Sequence, residues 1–350
     1  MKKFSTIIML LTAILFCSCS IFNSKKEDIN SREKETSEME GEKDKTSFSH
    51  EVQSKNVISP YTGKEVNLTA DNLIPYMAVI ENSKASRPQS GLSEASIVFE
   101  TMAEGGIPRF VALYYDNSAE VIGPIRSARP YFVDIAKEYS LPIAHCGGSE
   151  EALEMISKQD VKTLNEFAFG NSYWRDNTRK APHNLYTSSS KLKSLITEKK
   201  YIKEPHCSLK FSDDNLDNSS LPSAKEVIIK PNKNYSTSYI YKEGKYFKSM
   251  DDTASADRDS GKIISADNIV IQKTDISLQK DGVHLNINLI GEGEGFLITK
   301  GRYKKIKWKK TKETSETLLE DNNGNPLVLS KGNTWWHIID NKHMVVINGD

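Results

Sequence analysis

The sequence predicts an α/β (or α+β) amino-terminal domain with a mixed sheet, followed by a smaller, mostly β carboxy-terminal domain. Three observations carry this. Between residues 76 and 198, strand-like apolar runs alternate with segments of helical spacing, the order that lays helices on a sheet. From 212 to 223 the chain is nearly all Ser, Asp, Asn and Leu, a composition that marks a linker. Beyond it the apolar runs are strand-length and separated by turn-length gaps.

The chain begins with Lys2 and Lys3, an apolar run over 7–16, and then Cys17-Ser18-Cys19-Ser20. A basic start, a short apolar stretch and a small-residue processing site make an export signal over 1–18, too short for an ordinary membrane span of about 20 residues. Cleavage before Cys19 leaves Ser18 and Phe16 at the two preceding positions that bacterial lipoprotein signals use, so Cys19 is the expected lipidated residue. A diacylglyceryl thioether there supplies two acyl chains (palmitate or similar), enough for stable anchoring. The expected location is the outer face of the bacterial cytoplasmic membrane. Residues 19–56 are Lys, Glu, Ser, Asp and Thr with little to bury, and read as a disordered tether.

The folded part is expected over 57–211 and 224–350. Its first strand lies over 76–80, the second over 95–99 after one helical turn, and the third over 110–115 after the Gly105-Gly106-Ile107-Pro108 reversal. Helical spacing follows over 131–138, with Phe132, Ile135 and Ala136 on one face. A short buried strand over 141–145 precedes a helix that Ser149 caps and whose positive end suits Glu150 and Glu151. Residues 165–184 are polar, broken and aromatic, and read as a loop over the first patch. A helix from 189 to 198 closes the domain. The strand candidates beyond the linker are 227–229, 238–241, 268–271, 284–290, 295–298, 326–329, 334–339 and 344–347. Residues 291–295, GEGEG, read as a tight connection, and 302–312 alternates Ile306 and Trp308 against Lys305, Lys307 and Lys309.

Lys and Arg number 47, as do Asp and Glu, so bulk charge gives no basis for nucleic-acid binding. Outside the signal only Cys146 and Cys207 remain, a possible pair but no disulfide framework. Neither CxxC nor HExxH occurs, so no metal site is expected, and nothing calls for a cofactor.

Chemistry concentrates at the ends of the early strands. Arg87, Arg109, Arg126, Arg129 and Arg175 sit in loops or at strand ends, with Gln89, Ser90, Ser127, His183 and Asn184 beside them in sequence or in the covering loop. Guanidinium forks bind carboxylate or phosphate in two-point fashion, so these residues form the expected ligand site; the alternative is pairing with Glu81, Glu94, Glu100, Glu104 and Asp116 to fix loops. Gly147, Gly148 and Ser149 before a helix add backbone N–H groups suited to an anion. Glu94, Glu100 and Glu104 are candidate acids for glycan cleavage, with desolvation raising the latter two, and His145 is a weaker catalytic candidate. One cleft holding Arg87, Glu100, Arg126 and His183 is expected.

The blocks ASRPQSGLSEASIVFE, AEGGIPRFVALYY, IGPIRSARPYF, AHCGGSEEA, YWRD and APHNLY resemble the signature of the YerB family of bacterial lipoproteins, and GEGEGFLITKGRYKKIKWKK and LSKGNTWWHI resemble its carboxy-terminal part. The resemblance runs from about residue 57 onward and implies a two-domain surface lipoprotein. Two functions fit: binding an anionic cell-wall polymer (peptidoglycan or teichoic acid) or an envelope protein through the arginine cleft, or cleaving peptidoglycan glycan with a glutamate acid in that cleft.

Overall fold

The computed structural model describes residues 55–68, 74–213 and 220–349; the expected signal, Cys19, most of the tether and the middle of the linker lie outside them. The main strands and helices are β1 (Tyr76–Ile80), β2 (Ile97–Met102), β3 (Pro108–Tyr114), α1 (Pro130–Glu138), β4 (Ile143–His145), α2 (Glu150–Lys158), β5 (Thr163–Asn165), α3 (Ser189–Glu198), β6 (Glu226–Lys230), β7 (Thr237–Lys242), β8 (Lys245–Met250), β9 (Asn268–Thr274), β10 (Gly291–Thr299), β11 (Arg302–Lys310), β12 (Leu318–Glu320), β13 (Thr334–Asp340) and β14 (Met344–Asn348).

One ten-stranded sheet runs β12-β11-β10-β9-β13-β2-β3-β1-β4-β5, so strands from both sides of the linker share a single hydrogen-bonded surface. The seam is parallel: β13 pairs with β2, Trp335 opposite Val98 and His337 opposite Glu100. Strands β1, β2, β4, β5, β9 and β13 point the same way, and β3 and β10 run against them. A smaller antiparallel sheet, β8-β7-β6-β14 with short additions at the β8 end, comes wholly from beyond the linker.

Alternation sends each strand's residues to two different cores. Val98, Phe110, Ala112, Ile271 and Trp335 pack with Val227, Ile229, Tyr239 and Tyr246 of the small sheet and with Leu192 and Ile196 of α3. Met77, Val79, Phe99, Val111, Leu113 and Trp336 pack on the other face with Tyr131, Phe132, Ile135 and Ala136 of α1 and with Ile306 and Trp308. Being covered on both faces, the central strands are buried at nearly every residue, which is why they read as unbroken apolar runs. Full burial of each large side chain contributes roughly 1.5–3 kcal/mol.

The GEGEG run is no turn but the first half of β10. A Cβ at Gly295 would lie 2.0 Å from the Ile271 carbonyl oxygen, and one at Gly293 2.5 Å from Trp308 Nε1, so glycine lets neighbouring groups approach. The alternation in β11 is as expected, with Ile306 and Trp308 buried and Lys305, Lys307 and Lys309 exposed. Trp335 and Trp336 are both core residues. Cys146 and Cys207 are free thiols.

Candidate functional site

The carboxyl ends of β1, β2, β4 and β5 lie along one rim of the large sheet, together with the start of β3. In sheets with parallel strands this rim is where loops collect and ligands bind. Here it carries Glu81 and Asn82 after β1, Glu104 after β2, Arg109 at the start of β3, His145 and Gly147 at the end of β4, and Glu166 after β5. The segment Ile122–Arg126 is stitched into the rim: Glu81 N donates to Pro124 O (2.9 Å), Ile125 N to Leu185 O (2.7 Å) and Arg126 N to Val79 O (2.9 Å). The positive end of α1 begins just beyond it, at Pro130.

Two carboxylates organise the charges. Glu81, nearly sealed from solvent, accepts at Oε1 from Ser83 Oγ (2.7 Å) and from His183 Nδ1 (2.8 Å), while its Oε2 lies 3.4 Å from Arg126 Nε without forming a hydrogen bond. Glu104 takes Arg129 in a two-point pair and also lies 3.2 Å from Arg109 NH2. Burial first, then the neighbouring Arg129 charge, pull the Arg109 guanidinium down to about 10, with Arg126 adding to the effect. Three guanidinium groups thus share two carboxylates.

Arg126 is the least committed of them. Its two terminal nitrogens donate to no other described residue, its side chain is 25% exposed, and the Ser127 hydroxyl beside it also has no described partner. Other polar atoms are left over at the same rim. Tyr131 OH, close enough to Glu104, Arg109 and Arg129 to feel their charges, is buried with no partner among the described residues; so are Asn82 Nδ2 and His145 Nε2. His145 donates from Nδ1 to Gly147 O (2.7 Å), and burial lowers its pKa, so the ring is neutral with Nε2 as a lone pair. Buried polar groups without partners are uncommon and mark places where another molecule fits.

Other candidates serve the framework. Arg87 is spent on Asn82 and on Asp251 (2.7 Å), and Gln89 bonds Glu81 O and Asn82 Oδ1, both at 3.0 Å. Arg87, Gln89 and Asp251 border a groove of about 570 Å³ next to the rim. The Ser90 backbone pairs with Gly123. Arg175 NH1 donates to Asn184 Oδ1 (3.2 Å), and NH2 lies 3.6 Å from Glu166. Gly147 N is taken by Asn165 Oδ1, Gly148 pairs with Ala128, and Ser149 caps α2 through Ala152 N, with two glutamates following; this set serves the turn and the helix.

Arg126 and His183 meet at Glu81, and Arg87 joins through the adjacent Asn82. Glu100 does not join them. It projects to the other side, between the two sheets, where it meets Lys248 Nζ (2.8 Å), Trp335 Nε1 (2.9 Å) and Thr237 Oγ1 (3.0 Å). Burial alone would raise its carboxyl, but the Lys248 charge, the His337 ring and the hydrogen bonds from Lys248 and Trp335 together outweigh this and hold it at about 2. Glu104 is likewise held low: burial raises it, and Arg129 and Arg109 more than offset that. Both shifts run opposite to the desolvation-driven rise expected from sequence. Glu94 lies at the opposite rim, paired with Lys262 (2.7 Å).

Sequence reasoning gave Glu81 no role beyond pairing with an arginine and missed Lys248, His337 and Tyr131. A signal existed for Lys248: it takes a buried place in the Tyr246, Lys248, Met250 alternation of β8.

Comparison with known proteins agrees with this architecture. Residues 61–202 match the DUF3048 N-terminal domain and residues 226–336 the DUF3048 C-terminal domain, both described as of unknown function. The chain is 31% identical over 295 residues to YerB of Bacillus subtilis (strain 168), a protein named as a lipoprotein; the alignment covers 81% of this chain and 87% of that one. The crystal structure of YerB from Bacillus subtilis is similar with a TM-score of 0.74 and 28% identity, covering 83% of this chain and 99% of that chain.

Proposed function

This chain belongs to the YerB family, built from the two DUF3048 domains, and from that premise we propose that it is a lipid-anchored lipoprotein whose arginine rim binds an anionic polymer or partner of the bacterial envelope. The anchor follows from the signal and Cys19, and agrees with the name of the relative. An exported, lipid-anchored protein works at the outer face of the membrane. There the polymers at hand carry carboxylates, as in peptidoglycan, or phosphates, as in teichoic acid.

One observation carries the binding reading: the Arg126 fork is partly exposed, meets no described residue at either terminal nitrogen, and is set among Glu81, Glu104, Arg109 and Arg129, a group of three guanidinium ions and two carboxylates with one positive charge in excess. A guanidinium fixed at its inner end and free at its outer end is preorganised for two oxygens of an anion. Glycan cleavage by a glutamate acid has no comparable support, since Glu100 and Glu104 are held low and Glu94 lies at the other rim.

The test is co-sedimentation of the full chain, kept soluble in detergent, with purified sacculi that retain teichoic acid or have been stripped of it. Retention should fall in Arg126→Ala and with rising salt. Equal retention of wild type and Arg126→Ala would remove the arginine rim from the account.

A further inference from the structure

The geometry points to a proton-accepting centre at this rim: the Glu81–His183 pair, with Arg126, cleaves a phosphodiester. The inference rests on the anion-binding reading of Arg126 and adds to it a substrate class and a reaction.

Glu81 is a carboxylate at the end of a buried strand, held by the Ser83 hydroxyl at 2.7 Å. A carboxylate only accepts, so the 2.8 Å contact with His183 places the ring proton on Nδ1. Nε2 is then a lone pair on a ring that is 27% exposed, and no described residue occupies it. The carboxylate fixes the tautomer and the orientation of the imidazole, as the acidic partner of a general-base histidine does. Arg126 approaches the other oxygen of the same carboxylate. The base and the anion fork are therefore positioned by the two oxygens of one side chain, His183 on Oε1 and Arg126 against Oε2.

One excess positive charge matches a monoanion, a carboxylate or a phosphodiester, and the place of the reacting bond decides between them. A carboxylate on the fork would be a handle away from any scissile bond, whereas a phosphate is at once the group held and the reaction centre. Negative charge also grows on its oxygens during displacement, where the guanidinium stabilises it.

The step balances with water as the only co-reactant. His183 Nε2 takes a proton from water as its oxygen bonds to phosphorus; the ester P–O bond on the opposite side breaks; the departing alkoxide takes a proton from solvent water, and the imidazolium gives its proton back to solvent. The products are a phosphomonoester and an alcohol, and His183 is regenerated. Glu81 stays unprotonated and acts by positioning.

The probes are bis-p-nitrophenyl phosphate for turnover and dimethyl phosphate, followed by ³¹P NMR, for binding to the full chain in detergent. Wild type should release nitrophenolate. His183→Gln should lower turnover on the order of 100-fold, within the usual range for a general base, keep the dimethyl phosphate affinity within about threefold, and lose the acid limb of the pH–rate profile. Arg126→Ala should lower both. Thermal melting of each variant separates these effects from unfolding, and His183→Asn serves if the glutamine variant melts early. No turnover by wild type, or turnover surviving in both folded His183 variants, overturns the inference; binding that still depends on Arg126 would leave the anion-site reading standing. Dimethyl phosphate binding unchanged in Arg126→Ala would overturn both.

Discussion

Glu100 and Lys248 form an ion pair, Nζ to Oε2 2.8 Å, with both side chains buried where the small sheet lies on the large one. Lys248 also lies over the Trp335 ring (4.6 Å) and the Tyr239 ring (5.1 Å), so its charge faces one carboxylate and aromatic faces. Such a pair costs much desolvation and returns it only while complete. Lys248→Met should therefore destabilise the protein by about 3–5 kcal/mol. Glu100→Gln with Lys248→Met should recover a large part of that. Urea denaturation of the single and double variants checks both values, and a double-variant loss equal to the sum of the two single losses would mean that the two groups are not coupled.

The same network predicts acid sensitivity. Burial holds His337 down to about 3, and it is neutral, accepting from Tyr239 OH at 2.8 Å. A base with a depressed folded pKa contributes stability that is present above its ordinary value of 6.5 and lost as pH falls below it. Glu100 adds a second loss, starting below its ordinary 4.5 and continuing towards about 2. Melting temperature should thus be flat above about pH 7 and decline on acidification, with each group contributing at most about 1.4 kcal/mol per pH unit. In His337→Gln the decline between pH 6.5 and 4.5 should shrink while the lower limb persists.

Gly295→Ala should be costly, because the new methyl would meet the Ile271 carbonyl at 2.0 Å and β10 would have to move off β9. A loss of about 1–3 kcal/mol or more is expected. Gly170→Ala has no atom within 4 Å and should stay within about 0.5 kcal/mol of wild type. Chemical denaturation of both variants reads the difference.

The two thiols of the folded body should alkylate as free cysteines without prior reduction. Burial pushes Cys207 up to about 12, and burial followed by Glu166 raises Cys146 by less. Iodoacetamide labelling read by peptide mass spectrometry should find Cys146 modified first. A disulfide-linked peptide between them would contradict the structure.

The early strands and α1, α2 and α3 were legible because each follows from local pattern: an apolar run as in β1, a helical face as in α1, a cap such as Ser149. The arginine rim was legible as a density of charge. Which arginine stays free was not, because that depends on the partners the fold brings up. Arg129 and Arg109 meet Glu104, Arg87 meets Asp251 from beyond the linker, and Arg126 is left over. Glu100 looked like a rim residue because it ends an apolar run. Its place between the sheets is set by Lys248, 148 positions away, a distance no local pattern spans.

The parallel pairing of β13 with β2 has a consequence for how the chain is made. Residues 97–101 find one of their two strand neighbours only when residues 334–338 arrive. A chain emerging amino end first must hold the edge of β2, and the hollow for Trp335 and Trp336, unsatisfied through more than two hundred residues of synthesis. Closing so long a loop is slow, and the open edge invites wrong partners meanwhile. The half-made protein is therefore the form most in need of a chaperone.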